Sequence, residues 1–290
     1  MIFAVTHSSW TAAVEPAEAA RLTAQLEQGG VLRFAALPFA VNDAERALFD
    51  PKILSGARKN ISYDLARDRL AGAADDAVTP LLHGMLKRYA TQAQALVHAL
   101  FPHYRGALQP GRSSFRPAEI AGRASSVKKD DTRLHVDAFP ATPLQGRRIL
   151  RVFTNVNPDG KTRHWRVGEP FAQVAERFAQ PVDALPGIAR RLLRAARITK
   201  SYRTAYDDLM LKTHDAMKMD DAYQDSVPRE DVHFAPGETW VVYSDQVSHA
   251  ALAGQHLMEQ TFYLPADKML DPDQSPLRVL ERLKGRALLV

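Results

Sequence analysis

The N-terminal third of the chain shows mostly the apolar spacing of amphipathic helices. Over residues 76–100, apolar side chains recur at intervals of three and four, which predicts a long helix. A shorter helix is predicted between Glu15 and Gly29, because proline stands early in its first turn and glycines follow its end. Residues 31–34 resemble a short strand, and a second helix is expected after Asn42-Asp43. We therefore expect residues 1–110 to form a mainly helical buttress.

From residue 113 onward, the pattern changes to the short apolar or alternating runs that are typical of β-strands. Strands are predicted at residues 113–120, 134–139, 148–157, 232–234, 239–243 and 260–264. The order of segments favours an α+β fold in a single domain, a β-sandwich or small barrel supported by helices. Its expected parts, within 1–290, are the buttress at 1–110, the β core at 111–160 and 230–266, a helical insert at 160–230 and a C-terminal helix at 267–290.

Two residues of the strand predicted at 134–139 have the spacing of metal ligands. His135 and Asp137 stand two positions apart, so in an extended strand both side chains point to the same face, about 7 Å apart along the chain. His249 follows the strand predicted at 239–243, after a polar turn. Two histidines and one carboxylate can form a facial triad, which leaves coordination positions open for non-haem Fe(II) oxygen chemistry. A His-x-Asp pair alone is weak evidence for a metal site, since most such pairs are ordinary surface or salt-bridged residues.

Composition limits the chemistry further. The chain has no cysteine, so a metal must bind to His, Asp or Glu, and disulfides are excluded. A net charge of +5, from 38 basic and 33 acidic residues, suggests an anionic partner such as nucleic acid, a phosphorylated small molecule or an acidic membrane. Aromatic-and-basic RNA-binding motifs are absent, so no nucleic acid is expected. Charges interrupt every apolar stretch, and the N-terminus lacks the pattern of a signal peptide.

Six sequence runs together resemble the Kdo 3-hydroxylase family, where Kdo is 3-deoxy-D-manno-oct-2-ulosonic acid. They are SSFRPAEIAGRASS, KDDTRLHVDAFP, GRRILRVFTNVNPDG, HWRVGEPF, SDQVSHAALAGQ and EQTFYLP, within about residues 50–266. The resemblance implies the double-stranded β-helix (jelly-roll or cupin-like) core of Fe(II)/2-oxoglutarate-dependent oxygenases. It also implies hydroxylation of C3 of a Kdo sugar in Kdo2-lipid A, a lipopolysaccharide modification that uses Fe(II), 2-oxoglutarate and O2. His135, Asp137 and His249 would be the catalytic iron ligands.

The distal carboxylate of 2-oxoglutarate needs a cation, ideally the planar fork of an arginine. Many relatives of the superfamily carry this arginine shortly after the second histidine, but residues 254–261 contain none here. Arg151 and Arg116, in segments that match the family, are predicted to bind the co-substrate instead. Arg148 is a weaker candidate, and Asn155 and Gln260 are expected to be hydrogen-bonding wall residues. The alternative for each arginine is a structural salt bridge or a surface position.

Two features of the predicted insert bear on the substrate. Residues 188–197 form a basic amphipathic helix, in which Arg190, Arg194 and Arg197 lie on one side and Ile188 and Leu192 near the other. Such a helix can rest on an anionic membrane or bind phosphate and carboxylate groups, although a solvated face is more common. His214 and Asp215 are adjacent on a helix and diverge too far to chelate a metal together, but they could hydrogen-bond to substrate. The expected location is cytoplasmic, with peripheral contact at the inner face of the inner membrane.

Three rival functions predict different behaviour. An oxygenase of the same core that acts on a protein or another small molecule would keep the triad but not the lipid substrate. A metal-free binding module would show no iron-dependent activity. A metal-dependent hydrolase would turn over without O2 or 2-oxoglutarate, because the ligand set alone does not choose the metal.

Overall fold

A computed structural model of the protein describes residues 1–56 and 58–289. Its strands are β1 (Ile2–Val5), β2 (Val31–Phe34), β3 (Ile61–Asp64), β4 (Arg69–Ala71), β5 (Gln109–Arg116), β6 (Arg147–Asn155), β7 (Arg163–Val167), β8 (Glu230–Phe234), β9 (Thr239–Tyr243), β10 (His249–Ala253) and β11 (Leu257–Pro265). Its α-helices are α1 (Pro16–Glu27), α2 (Thr79–Leu100), α3 (Phe171–Val174), α4 (Gly187–Ala195), α5 (Ala205–Met219), α6 (Asp221–Ser226) and α7 (Pro276–Lys284). A π-helical turn at Ala175–Ala179 continues α3.

The strands form two facing sheets. The large sheet has the order β1-β2-β9-β6-β11-β5-β3-β4, and the small sheet has the order β10-β7-β8. Apart from the parallel pair β1 and β2, neighbouring strands are antiparallel. The inner faces pack through aromatic rings: Phe234 stacks on Trp240 at 3.9 Å between centroids, and Phe153 meets Trp165 edge to face at 5.1 Å. This aromatic layer closes one end of the space between the sheets.

The outer face of the large sheet is covered by α1 and α2. Because side chains alternate along β6, Leu150 and Val152 point outward to the helices while Phe153 points inward. Leu22 of α1 and Leu96 of α2 belong to the same fully buried cluster as these two residues. Each such buried aliphatic side chain stabilises the fold by roughly 1.5–3 kcal/mol relative to exposure. The two N-terminal helices thus buttress the sheet, as their amphipathic spacing predicts.

A second helical layer packs beside the small sheet and holds the segment that carries the candidate metal ligands. Leu134 and Val136 are buried among apolar side chains of α3, α5 and α7, including Leu209 and Met217. The segment is extended, so the residues that alternate with this pair point the other way, into the space between the sheets. Burial of the apolar pair therefore orients His135 and Asp137.

Several predictions about the elements were wrong. Residues 134–139 are not a strand of either sheet: they make one isolated antiparallel bridge, between His135 and His249. The helix expected after Asn42-Asp43 is a 3-10 turn at Ala44–Leu48. Residues 1–110 contain the two long helices, but they also contribute β1 to β4 to the large sheet. These strands have only three or four residues each, too few for a periodic pattern to show.

The segment predicted as a helical insert begins with a strand. Arg163, Trp165 and Val167 of β7 are buried, while His164 and Arg166 between them are partly exposed. This period-two alternation is a strand signal that helical patterns further along the segment obscure. None of the helices formed by residues 1–56 and 58–289 is long and apolar enough to cross a membrane.

Candidate metal centre and arginine pocket

The two candidate histidines are brought together by backbone hydrogen bonds. His135 N donates to His249 O at 3.0 Å, and His249 N donates to His135 O at 2.9 Å. Their rings lie side by side, with centroids 4.7 Å apart. Two residues further on, Asp137 N donates to Ser244 O at 2.8 Å, which turns the carboxylate to the same side. One ligand atom from each of the three residues then lies within 4.8 Å of the others.

Each imidazole is held in the tautomer that a metal needs. His135 Nδ1 lies 2.8 Å from Arg133 O, and His249 Nδ1 lies 2.8 Å from Val247 O. A carbonyl oxygen only accepts, so both Nδ1 atoms carry the proton and both Nε2 atoms present a lone pair. Backbone carbonyls behind ligating histidines commonly fix ring orientation in this way.

The electrostatics of the three residues favour the protonation states of metal ligands. Burial and the neighbouring His249 hold the pKa of His135 well below its ordinary value, and burial also lowers the pKa of His249. Burial alone would raise the pKa of Asp137, but Arg151 and the two imidazoles hold it below the ordinary range. The triad therefore consists of two neutral imidazoles and one carboxylate at neutral pH, which is the state that binds a divalent metal.

The donor set fits Fe(II). Asp137 Oδ2 is buried, and Arg151 Nη2 lies 2.9 Å from it as a charged neighbour. Two imidazole nitrogens and a carboxylate oxygen on one side leave the opposite positions open, as in non-haem iron oxygenases. Within residues 1–56 and 58–289, no other group of three His, Asp or Glu residues meets in this way.

Charged side chains of the large sheet surround the carboxylate of the triad. Glu259 of β11 joins two arginines: its Oε1 accepts from Arg151 Nη1 at 2.6 Å, and its Oε2 lies 2.7 Å from Arg116 Nη2. Arg151 also contacts Asp137, so it connects the triad to this pair. Burial alone would raise the pKa of Glu259, but Arg116 and Arg151 hold it below the ordinary value. Both predicted arginines therefore line the site, each already paired with a carboxylate.

A third arginine, Arg163 of β7, has no such partner. It is buried, no described carboxylate oxygen lies within 4.0 Å of it, and the one side-chain hydrogen bond found among the described residues runs from Nη1 to Gly254 O at 2.9 Å. Glu119, Asp131 and Glu259 attract it only from longer range. Burial and the neighbouring Arg116 lower the pKa of Arg163 to about 9, so it stays protonated at pH 7. A buried cation without an anion is costly, which indicates that an anionic ligand belongs beside it.

The triad and the three arginines enclose one small cavity of about 60 Å³. Among the residues that line it, three buried N–H donors have no acceptor in the described part of the chain: Arg151 Nε, Arg163 Nε and Trp165 Nε1. The Trp165 ring stacks on His249 at 5.0 Å between centroids, and its indole therefore adjoins the triad. Unpaired donors in a buried cavity indicate a ligand rich in acceptor oxygens.

Comparison with known proteins gives the family. A family model for 3-deoxy-D-manno-oct-2-ulosonic acid (Kdo) hydroxylase matches residues 9–287. The chain belongs to the Kdo hydroxylase family. Crystal structures of the Kdo hydroxylase KdoO, described as a non-heme Fe(II) alphaketoglutarate dependent dioxygenase, are similar over nearly the whole chain. No match was found among curated proteins.

Three KdoO structures give the extent of this similarity. The complex with alphaketoglutarate and Fe(III) is 43% identical, covers 99% of this chain and 97% of that chain, and has a TM-score of 0.95. The apo structure and the complex with cobalt(II) are each 44% identical with the same coverage and a TM-score of 0.96. The predicted family, the double-stranded β-helix fold and the class of Fe(II)- and 2-oxoglutarate-dependent dioxygenase are thereby confirmed. A Kdo-containing substrate and the use of O2 follow from the family, and the alternative of a protein or other substrate is not favoured.

Three residues that the sequence suggested for co-substrate binding are placed elsewhere in this Kdo hydroxylase. Arg148 is fully buried on the outer face of β6, where Nε donates to Asp245 Oδ2 at 2.8 Å and Nη2 donates to Gln246 Oε1 at 2.6 Å. Asn155 stands at the end of β6, where its Nδ2 donates to the backbone carbonyls of Lys161 and Phe234. The Gln260 side chain bonds to Ser113 and to backbone carbonyls on the helix side of β11. Their polar groups are satisfied there and none lines the cavity, which corrects these three expectations.

Sequence reasoning missed Arg163 and Trp165 because it read their segment as helical. β7 overlaps the family run that begins at His164. The period-two spacing of Trp165 and Val167 in that run is the sequence signal that could have identified a strand here. His214, by contrast, was considered only for substrate binding, and its ring lies 5.4 Å from that of His135. His214 Nδ1 is bonded to Asp215 Oδ1 at 2.9 Å, so this imidazole stands beside the triad but is not one of its three ligands.

Proposed function

We propose that this chain hydroxylates C3 of a Kdo sugar in Kdo2-lipid A, and that His135, Asp137 and His249 hold the Fe(II). The observation that supports this most is the convergence of three ligand atoms within 4.8 Å at a cavity lined by unpaired arginine and tryptophan donors. Fe(II) supplies the oxidation of a C–H bond by O2 when 2-oxoglutarate is present, and the protein supplies binding and orientation. The residues of this chain hold the ligands, direct the substrate and exclude water.

Arg163 is proposed as the main anchor of the distal 2-oxoglutarate carboxylate. It is the buried guanidinium of the cavity with no carboxylate oxygen within 4.0 Å in the described part of the chain, whereas Glu259 already pairs with Arg151 and Arg116. Arg151 Nε and Trp165 Nε1 add two further unpaired donors to the same cavity. Arg151 has a second part in this proposal, because its contact with Asp137 keeps that carboxylate ionised and directed to the metal.

Apolar side chains of the cavity exclude water from the reacting atoms. Phe153, Trp165 and Leu257 line it together with the small Ala251, which leaves room beside His249. Desolvation strengthens each charge interaction in the cavity. The arrangement therefore places buried charges and apolar side chains around a small dianion next to the three metal ligands, where solvent screening is reduced.

The deciding experiment combines metal content with 2-oxoglutarate turnover. The purified protein, loaded anaerobically with Fe(II), is expected to bind one ion per triad. Once 2-oxoglutarate and O2 are added, it should release succinate faster when Kdo2-lipid A is present. Mass spectrometry should show one added oxygen on a Kdo sugar. Lipid A without Kdo is the control and should not stimulate turnover. Stimulation by lipid A alone, or an oxygen added to the lipid part, would contradict the proposal.

The proposed glycolipid substrate also requires contact with a membrane, and α4 offers a surface for it. Ile188, Leu192 and Ile198 are 72%, 63% and 58% exposed, which is unusual for a cluster of large aliphatic side chains. One arginine of the predicted basic side differs from the expectation: Arg190 is turned inward, where its Nε donates to Leu185 O at 3.0 Å, whereas Arg194 and Arg197 are exposed. Exposed apolar residues flanked by Arg191 and Arg194 suit the interface of an anionic bilayer.

The membrane contact predicts weaker vesicle binding when the aliphatic cluster is made polar. The double variant Ile188→Ser/Leu192→Ser should lose at least about 100-fold in affinity for vesicles containing phosphatidylglycerol, because each fully buried aliphatic side chain contributes about 1.5–3 kcal/mol and each 1.4 kcal/mol is tenfold. Sedimentation with anionic and with neutral vesicles measures this. Met219→Ser is the matched control, since Met219 is an exposed apolar residue on α5. Equal binding of the double variant and the control would refute a role for α4.

A further inference from the structure

A groove of about 500 Å³ adjoins the metal cavity and shares part of its wall. Arg116, Arg151 and Glu259 line both spaces. The metal cavity has about 60 Å³, far below the roughly 300–1,000 Å³ of ligand sites, whereas the volume of the groove, about 500 Å³, falls within that range. A substrate that presents one carbon to the triad must therefore place the rest of its mass in this groove or outside it.

The floor of the groove is one face of neighbouring strands of the large sheet. Arg112, Ser114 and Arg116 alternate along β5, and they therefore share a face. Thr261 and Tyr263 of β11 lie on the same side, one strand away. Arg112 is four positions from Arg116, which corresponds to roughly 13 Å along an extended strand. Arg116 lines the metal cavity and Arg112 does not, so Arg112 marks the end of the groove that is farther from the triad.

The charges of the groove are unbalanced at this far end. Arg67 pairs with Asp64 at 3.1 Å, and Arg116 and Arg151 pair with Glu259. Arg112 and Lys200, both exposed in the lining, have no carboxylate within 4.0 Å in the described part of the chain, and the cross-strand neighbour of Arg112, Asp64, pairs with Arg67 instead. Lys200 is held there by a backbone hydrogen bond to Ala141 O at 3.0 Å. Two cations with no internal partner make the groove complementary to an anion.

Between these cations and the metal cavity, the lining is suited to a polyhydroxylated ligand. Asn60, Ser114, Thr142 and Thr261 offer amide and hydroxyl groups, and the rings of Phe139 and Tyr263 offer faces for sugar C–H groups. We infer that Arg112 and Lys200 bind the carboxylate of a second acidic sugar, adjacent to the sugar that reacts. The inference rests on the proposed function, since it places the reacting sugar at the triad. A lipid phosphate shares the anionic chemistry, and the test must separate the two sources.

Binding measured without turnover tests this assignment. Calorimetry is carried out on the metal- and 2-oxoglutarate-loaded enzyme with two probes: a Kdo disaccharide, which carries carboxylates but no phosphate, and lipid A, which carries phosphates but no Kdo. Arg112→Gln and Lys200→Gln should each weaken disaccharide binding roughly tenfold, as expected for the loss of one charge-assisted contact. Arg286→Gln, at an exposed arginine outside the groove, is the matched control and should bind like the wild type.

The outcomes separate this inference from the proposed function. Unchanged disaccharide affinity in both groove variants would overturn the inference, and a loss confined to lipid A would overturn the carboxylate assignment. In the supporting outcome, 2-oxoglutarate turnover without substrate is the same in the variants as in the wild type, while KM for Kdo2-lipid A rises about as much as disaccharide affinity falls. A wild type that binds no iron and forms no succinate would refute the proposed function, whatever the groove variants bind.

Discussion

Replacing His135 by alanine is expected to remove iron from the protein and to abolish succinate formation from 2-oxoglutarate. The variant keeps Asp137 and His249, which leaves two ligands where the structure brings three together. Affinity should fall by more than about 100-fold, because even removal of a partner behind a ligand costs roughly 10- to 100-fold. Elemental analysis after gel filtration measures the loss, and succinate release measures its consequence.

The fold should survive this substitution. The side chain of His135 makes one hydrogen bond, to Arg133 O, and its backbone bridge to His249 does not depend on the imidazole. His214→Ala is the matched control, since this imidazole lies next to His135 but is not among the three ligands. We expect the control to retain its iron. Full iron content and turnover in His135→Ala would show that the triad is not the metal site.

The ligand residues could be predicted from the sequence because their geometry is local. A His-x-Asp pair needs only an extended backbone to point both side chains one way, and residues 134–137 are extended although they are not part of a sheet. His249 could be predicted as a ligand because it follows β9, whose five residues are all buried and form a mostly apolar run in the sequence. For these residues, the same local geometry that explains the sequence pattern also determines where the side chains point in the structure.

The roles of the arginines were harder to predict from the sequence, because the carboxylates that pair with them come from other parts of the chain. Alternation along β6 correctly places Arg151 inward and Arg148 outward, yet it cannot show that Asp245 neutralises the outward arginine. Nor can it show that Glu259, one strand away, already occupies Arg151 and Arg116. Which guanidinium is left without a partner depends on cross-strand register, and no single segment of sequence contains that information.

Replacing Arg163 by methionine is expected to weaken 2-oxoglutarate binding about 100-fold and to leave the iron content unchanged. Truncating one partner of a buried charge pair costs roughly 2–5 kcal/mol, and methionine fills much of the same volume without a charge. Calorimetry with 2-oxoglutarate on the iron-loaded protein, under anaerobic conditions, measures the affinity. The iron content should not change, because Arg163 is not one of the three ligands.

Stability without 2-oxoglutarate distinguishes a co-substrate anchor from a structural arginine. Arg163 is buried with no carboxylate in contact among the described residues, so its removal should raise the free energy of unfolding of the ligand-free protein, by about 1 kcal/mol. Arg148→Met is the matched control: it breaks the buried pair with Asp245 and should destabilise by about 3–5 kcal/mol while 2-oxoglutarate affinity stays the same. Denaturant unfolding measures both changes. If Arg163→Met unfolds more easily and still binds 2-oxoglutarate like the wild type, Arg163 is structural and Arg151 and Arg116 are left as the anchors.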